Sequence, residues 1–132
     1  MAKGYDTYKQ RQDDLASLGR ELVRRSKASC ELCGKSGTSL KIFEVPPAPD
    51  EPALEKCLHL CGLCVDQIER PKTMDSDHWR CLYEAIWSET PAVQVMALRL
   101  LRRLSHRESW AHDVMSDAYL DEETQAWADQ AE

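Results

Sequence analysis

The sequence predicts an α+β fold that is mostly α, in which a small ββα unit packs with a helical bundle. Two Cys-x-x-Cys pairs, at 30–33 and 61–64, enclose two short strand candidates. From about residue 76 onward, apolar residues recur at helical spacing. The 132 residues fit one compact domain. We divide it into an amino-terminal helix (1–29), a ββα unit (30–70) and a helical region (71–132).

Residues 8–28 are predicted to form an amphipathic helix. Its apolar face carries Leu15, Leu18, Leu22 and Val23. The opposite face carries a basic stripe made of Arg20, Arg24 and Lys27. A solvated helix face explains this stripe, and a nucleic-acid contact is the alternative.

The ββα unit is predicted from two strand candidates and a short helix. The strands are LKIFEV and KCLHL. Between them, VPPAPDEP holds four prolines in eight residues, which predicts an extended loop. The second cysteine pair then leads into the helical turn VDQIER, which is expected to stop before Pro71.

The helical region opens at residues 75–77, each of which suits an N-cap. The buried face of this first helix is predicted to carry Trp79, Leu82, Tyr83 and Ile86. A second helix is expected to begin with Thr90 as N-cap and Pro91 at its first position. Its polar face, opposite the aliphatic one, is predicted to carry Arg99, Arg102, Arg103 and His106. Further helices are expected over 108–117 and from residue 121 to the end.

Composition and charge limit the possible functions. The net charge is −6, divided into +3 through residue 45 and −9 after it. An acidic chain is poorly suited to general nucleic-acid binding, which depends on neutralising phosphates. No segment has the length and apolarity of a signal peptide or a membrane span. We therefore expect a cytoplasmic protein without membrane contact, whose six cysteines serve as metal ligands or buried thiols.

The two cysteine pairs predict one metal site. In each pair the spacing allows both sulfurs to reach one tetrahedral ion. A glycine stands where each pair requires the chain to bend sharply: Gly34 directly after the first pair and Gly62 inside the second. We predict a single structural Zn²⁺ whose ligands are Cys30, Cys33, Cys61 and Cys64. Because the protein supplies all four ligands, this ion should not be catalytic.

Other residues near the cysteine pairs have different predicted roles. Cys57 is expected to be a small buried apolar residue, and Cys81 a buried helix thiol. Strand alternation places Cys57 and His59 on one face of the second strand. His59 is expected either to hydrogen-bond a ligand sulfur or to be exposed. Asp75, Asp77 and His78 are the best candidates for a second, labile metal site, although helix capping explains both aspartates.

The motif set resembles the amino-terminal zinc-ribbon region of PhnA-type proteins. The resemblance rests on CELCGKSGTSLKIFEVPP, CLHLCGLC, DHWRCLYEAIWSETPAVQVMALRLLRRL, ESWAHD and YLDEETQAWA, and it covers about residues 22–128. It implies a zinc-ribbon or treble-clef-like ββα unit held by a zinc ion with four cysteine ligands. The family is named for association with alkylphosphonate-utilisation genes, and the hypothesis of a role in phosphonate metabolism rests on that name alone.

A more distant likeness is to the HNH nucleases, which share the two knuckles around a ββα unit. In those enzymes a histidine near the end of the first strand is the general base, and another just after the last cysteine pair helps hold a divalent ion. Here Glu44 and Val65 stand at the matching places. A divergent nuclease would have to use Glu44, His59 and Asp66.

Three functions follow from these observations. The leading one is a non-enzymatic structural-zinc module that acts as an interaction surface for an unidentified protein partner, with nucleic-acid contact possible. The alternatives are a divergent HNH-like metal-dependent nuclease and a role in phosphonate metabolism.

Overall fold

The computed structural model describes the backbone of residues 2–131 and the side chains of residues 7–131. Seven α-helices and one two-stranded sheet lie in this part of the chain, together with three short 3₁₀ segments. The predicted fold class, α+β and mostly α, is confirmed. The elements are α1 (Ala2–Ser17), α2 (Gly19–Ser26), β1 (Leu40–Glu44), β2 (Cys57–Cys61), α3 (Gly62–Glu69), α4 (Leu82–Ala85), α5 (Pro91–Leu104), α6 (Ser109–Asp117) and α7 (Glu122–Asp129).

The single helix predicted over 8–28 is in fact two helices, α1 and α2, joined by a turn at Leu18. Leu15 and Leu22 are buried as expected, whereas Val23 is 44% exposed. The end of α2 is fixed by backbone geometry. Lys27 and Ala28 adopt positive φ angles of 57° and 58°, which stops the helix and turns the chain toward the first cysteine pair.

The two strands form an antiparallel hairpin in which Leu40 pairs with Cys61 and Glu44 with Cys57. Every residue of β2 is buried, because both faces of this strand are covered. Leu58 and Leu60 belong to the main core, whereas Cys57 joins a smaller apolar cluster with Leu15 and Leu22. The helices α1 and α2 therefore cover one face of the hairpin, and the main core covers the other.

The main core joins the ββα unit to the helical region. Its buried residues come from the first cysteine pair, β2, α3 and α4 through α7. At its centre lies α5, of whose fourteen residues ten are buried. A helix that is buried nearly all round belongs in the middle of its neighbours, so α5 is the element on which α6, α7 and the hairpin pack.

The predicted helix after residue 76 is shorter than expected. A 3₁₀ segment at His78–Cys81 precedes the single turn of α4. Trp79, Leu82 and Ile86 are fully buried, but Tyr83 is 45% exposed. The helices predicted from Pro91, over 108–117 and from residue 121 agree closely with α5, α6 and α7.

Arg99, predicted for the polar face of α5 opposite the aliphatic one, is buried. Its side chain is only 1% exposed and donates to the backbone oxygens of Trp127 and Ala128, at the carboxyl end of α7. Because α7 packs over this stripe of α5, the helical periodicity of α5 alone could not place Arg99.

Between residues 2 and 131, no helix combines the length and apolarity that crossing a membrane requires.

Candidate metal centre

The first pair of sulfurs is positioned by a tight turn that the sequence encodes locally. The N–H of Gly34 donates to the oxygen of Cys30 (2.8 Å), and the N–H of Cys30 donates to the oxygen of Lys35 (2.9 Å). Gly34 has φ +79°, a conformation that a residue with a side chain adopts only with strain. This turn brings the side chains of Cys30 and Cys33 to the same side of the loop.

The second pair lies where β2 changes into α3. Cys61 is the last residue of the strand and the N-cap residue of the helix, and Cys64 follows in the first turn. The helical turn bends the chain at once, so both sulfurs can face the same point. The first pair, the hairpin and the helix that carries the second pair form a treble-clef-like arrangement.

The four sulfurs converge. All lie within 4.8 Å of one another. Cys30 Sγ lies 3.7 Å from Cys64 Sγ, and Cys33 Sγ lies 3.7 Å from Cys61 Sγ. A regular tetrahedron of sulfurs at about 2.3 Å from a central ion has edges of about 3.8 Å. No cysteine is in a disulfide, and all six lie in the described part of the chain. The set thus fits one tetrahedral metal ion.

The thiols are electrostatically coupled in a way that favours a cation between them. The hydrogen bond between the Cys30 and Cys64 sulfurs lowers the pKa of the Cys30 thiol. The same hydrogen bond raises the pKa of Cys64, and burial raises the pKa of Cys33 to about 11. One thiolate is therefore stabilised by its neighbours' S–H groups, but a second and third are opposed by burial and like charge. A divalent cation would remove that opposition.

His78 lies directly beside the sulfur cluster, a position that the sequence did not indicate. Its Nε2 atom is 3.2 Å from Cys64 Sγ. Burial lowers the pKa of His78, which favours the neutral ring, and a neutral ring with its proton on Nε2 would donate to this ligand sulfur. Among the described residues, Asp75, Asp77 and His78 do not form the second metal-capable group for which they were candidates.

The expectation that His59 would either hydrogen-bond a ligand sulfur or be exposed is wrong. His59 is 7% exposed, and its Nδ1 lies 3.4 Å from the hydroxyl of Ser26. Because α2 covers this face of β2, the ring packs against that helix. Strand alternation alone gave no information about the covering helix.

Glu31 and Arg25 support the first cysteine turn from beneath, and neither was among the predicted site residues. The Glu31 carboxylate accepts two hydrogen bonds from Arg25 (2.7 and 2.8 Å) and one from the N–H of His59 (2.8 Å). Arg25 also donates to the backbone oxygens of Leu54 and Cys57. This network ties α2, the first cysteine turn and β2 to one another, and it thereby fixes the distance between the two sulfur pairs.

The two remaining cysteines lie outside the sulfur cluster. Cys57 is fully buried in the cluster with Leu15 and Leu22, and burial raises its pKa to about 11. Its predicted role as a small buried apolar residue is confirmed. Cys81 is only partly buried, and burial raises its pKa to about 12. It lines a cavity of about 220 Å³ together with the first cysteine pair, so it is a neighbour of the site although it is distant in sequence.

The structure does not bring the alternative nuclease residues together. Within the described residues, the four cysteines form the one metal-capable group. Glu44 is held by two hydrogen bonds from Arg11 (2.5 and 2.9 Å). His59 is covered by α2, and Asp66 lies on α3 at 3.7 Å from Arg70.

The residues predicted to bind a partner are also dispersed. Arg20, Arg24 and Lys27 lie at or near the surface of α2 and its end, as expected. Arg102 pairs with Asp129 (2.6 Å), and Arg103 donates to a backbone oxygen of α3 (2.9 Å). Two separate basic surfaces therefore exist, one on α2 and one at the end of α5.

Comparisons of the chain with models of known protein families, with curated proteins and with solved structures gave no match.

Proposed function

We propose that this protein is a non-enzymatic structural-zinc module that serves as an interaction surface for another protein. The observation that supports it most strongly is the convergence of four cysteine sulfurs within 4.8 Å of one another, two of the distances being 3.7 Å. Zinc is the ion that an all-thiolate tetrahedral set in a small ββα unit commonly holds. With four protein ligands the ion has no open position for water or substrate, so its contribution is to hold the fold together.

The proposed interaction surface is aromatic. Trp87 is 55% exposed and Tyr119 is 71% exposed, and both are large side chains with much apolar area in water. Their backbones lie near each other, since the side-chain nitrogen of Gln94 donates to the backbone oxygens of Ile86, the residue before Trp87, and of Tyr119. Aromatic residues are enriched at protein interfaces. A protein partner also suits the net charge of −6 better than a nucleic acid does.

The metal part of this proposal is tested by elemental analysis of the purified protein. We expect one zinc per chain, which a strong chelator removes with loss of helical circular dichroism. Iron or copper in its place, or a zinc content unchanged by Cys30→Ser, would contradict it.

The interaction part is tested by a pull-down from the native host, with and without nuclease treatment. Replacing Trp87 and Tyr119 by Ser should abolish capture of a stoichiometric partner. The matched control is Tyr8→Ser, because Tyr8 is 66% exposed on α1, a different element. Loss of the partner on nuclease treatment, together with a steep salt dependence of DNA or RNA binding, would favour a nucleic-acid contact through the basic stripe of α2 instead.

The HNH-like nuclease is the runner-up, and its geometry is less favourable. Glu44 is engaged by Arg11, and His59 is buried against α2, so neither is available to bind a divalent ion or to activate water. Plasmid nicking with Mg²⁺ or Mn²⁺ that is lost in both Glu44→Ala and His59→Ala would establish this function. The PhnA-type resemblance, and a phosphonate role that rests on the family's name alone, also remain proposals. Release of phosphate from small phosphonates by the pure protein would support that role.

A further inference from the structure

The two edges of the β hairpin differ in how their backbone groups are used. The N–H of Val45 donates to the oxygen of Lys56 (2.9 Å), which extends the ladder between β1 and β2 by one pair. Hydrogen-bonded and non-hydrogen-bonded pairs alternate along an antiparallel ladder. Counted back from this pair, the backbone N–H and C=O groups of Leu40, Ile42 and Glu44 point away from β2, toward the outer edge of β1.

The outer edge of β2 is closed by other parts of the chain. The backbone oxygen of His59 accepts from the N–H of Glu31 (2.9 Å), and the N–H of His59 donates to the Glu31 carboxylate (2.8 Å). The oxygen of Cys57 accepts from Arg25 (2.7 Å). On β1, no residue that the structure describes supplies a hydrogen-bond partner for the outward backbone groups of Ile42. The hairpin therefore has one closed edge and one open edge.

A groove of about 420 Å³ lies along the open edge of β1. It is lined by residues 41–44, four consecutive residues of the strand. Because consecutive side chains of a strand point to opposite faces, a groove that borders all four follows the edge of the strand rather than one face. The unused backbone groups of Ile42 therefore lie beside open space.

Helices α1 and α3 form the two walls of the groove. Leu15 of α1 and Val65 of α3 both line it. Ile42 packs against the small cluster that contains Leu15, whereas Phe43 packs against the main core, to which Val65 belongs. The two helices thus flank the strand from its opposite faces. A single extended chain fits between two such walls, whereas a second folded copy would bring its own flanking helices against them.

We propose that this groove binds an extended peptide segment of a partner protein, which joins the hairpin as a third strand. Main-chain hydrogen bonds to an open sheet edge give such binding its affinity, and alternate side chains give it specificity. The peptide side chain opposite Ile42 would face Leu15, so we expect an apolar residue there. The site shares no residue with the aromatic surface of Trp87 and Tyr119, and neither proposal depends on the other.

The charges of the groove favour a peptide over a nucleic acid. Its charged lining residues are Lys41, Glu44 and Glu69, and Glu44 is already paired with Arg11. Lys41 and Glu69 contribute one charge of each sign. The groove therefore has no excess of positive charge with which to neutralise phosphates.

Hydrogen exchange of the full-length protein, followed amide by amide by NMR, tests whether the edge is open. We expect the amide of Ile42 to exchange on the order of a hundredfold faster than that of Phe43, because the N–H of Phe43 is bonded within the ladder and that of Ile42 is not. Equal protection of the two amides would show that the edge is already paired, and it would overturn the proposal.

Selection of a random dodecapeptide phage library on the full-length protein tests the groove itself. We expect selected peptides to bind saturably and to protect the amide of Ile42. Methylating the backbone nitrogens of alternate peptide residues should weaken binding about tenfold or more in one register and less than about twofold in the other, since only every second N–H of the peptide donates to β1. The proposal is overturned if no binder is selected, if the Ile42 amide stays unprotected, or if both methylation patterns are tolerated.

Ile42→Pro removes the donor at the open edge. Because proline is tolerated where the N–H of a strand faces outward, we expect unchanged metal content and circular dichroism, and a peptide affinity about tenfold lower or less. Ile42→Val keeps the N–H and is the matched control, expected within about twofold of the parent. If Ile42→Pro fails to fold, the methylated peptides decide. Peptide binding that is lost in Trp87→Ser with Tyr119→Ser, but not in folded Ile42→Pro, would assign the peptides to the aromatic surface and overturn the groove.

Discussion

Arg25 and Glu31 form a bidentate ion pair beneath the first cysteine turn, and the Glu31 side chain is only 6% exposed. Replacing Glu31 by Gln removes the charge and leaves a partly buried guanidinium without its partner. We expect a loss of about 3 kcal/mol in the free energy of unfolding, since breaking a buried ion pair from one side is strongly destabilising. Urea titration of the metal-loaded protein would measure it.

The matched control for this change is Glu21→Gln. Glu21 also pairs with an arginine, Arg24, but both side chains are more than half exposed. Exposed pairs contribute about 0.2–1 kcal/mol, so the control should barely shift the urea midpoint. Equal effects of the two substitutions would show that the Arg25–Glu31 pair is not a structural brace.

Substitutions of Cys57 and Cys61 distinguish a packing role from a role in metal binding. Cys57→Ala should retain one metal ion per chain and lose modest stability, because Cys57 fills a buried site beside Leu15 and Leu22. Cys61→Ser should lose the ion and unfold the first half of the chain, since zinc contributes about 10–16 kcal/mol in small zinc-folded peptides. Elemental analysis with circular dichroism would decide. Metal loss in the Cys57 variant would show that the ligands had been misassigned.

His78 should affect metal affinity without being a ligand. Its Nε2 lies 3.2 Å from Cys64 Sγ, and a ring N–H at that distance would take up part of the charge of a ligand sulfur. We expect His78→Ala to weaken zinc affinity by about 10- to 100-fold with unchanged stoichiometry. Competition against a chromogenic chelator would measure this. His106→Ala, at an exposed histidine, is the control and should match the parent.

Gln67 joins α3 to the segment that leads into α4. Its side-chain oxygen accepts from Trp79 Nε1 (2.7 Å) and from the N–H of Asp75 (2.8 Å). Gln67→Met keeps the volume but leaves a buried indole N–H unsatisfied, at a cost of about 1–3 kcal/mol. Thermal unfolding followed by tryptophan fluorescence would detect it. Gln10→Met, at an exposed residue of α1, should be near neutral, and the same loss in both variants would contradict this account.

Much of the fold could be predicted because its signals are local. The two strands follow from short apolar runs bounded by turn residues, and α5 follows from Pro91 and a long aliphatic pattern. The convergence of the cysteines follows from their spacing, because each pair lies on its own turn. In all of these cases the residues that determine the structure are close together in sequence.

The residues that the sequence failed to indicate interact over long sequence separations. Arg11 meets Glu44 across 33 positions, and His78 meets Cys64 across 14. Arg99 was predicted for the polar face of α5, because the periodicity of one helix does not reveal that α7 packs over it. Such pairings depend on how elements pack, and single-helix or single-strand patterns carry no information about that.

The main core has a consequence for the behaviour of the protein without its metal. Leu58 and Leu60, next to the second pair of sulfurs, pack in the same cluster as Leu100 and Leu101 of α5. If the hairpin detaches when the ion is lost, the most aliphatic helix of the molecule is exposed to water. The apoprotein should then self-associate and precipitate, so the purified chain keeps best in buffers free of chelators and oxidants.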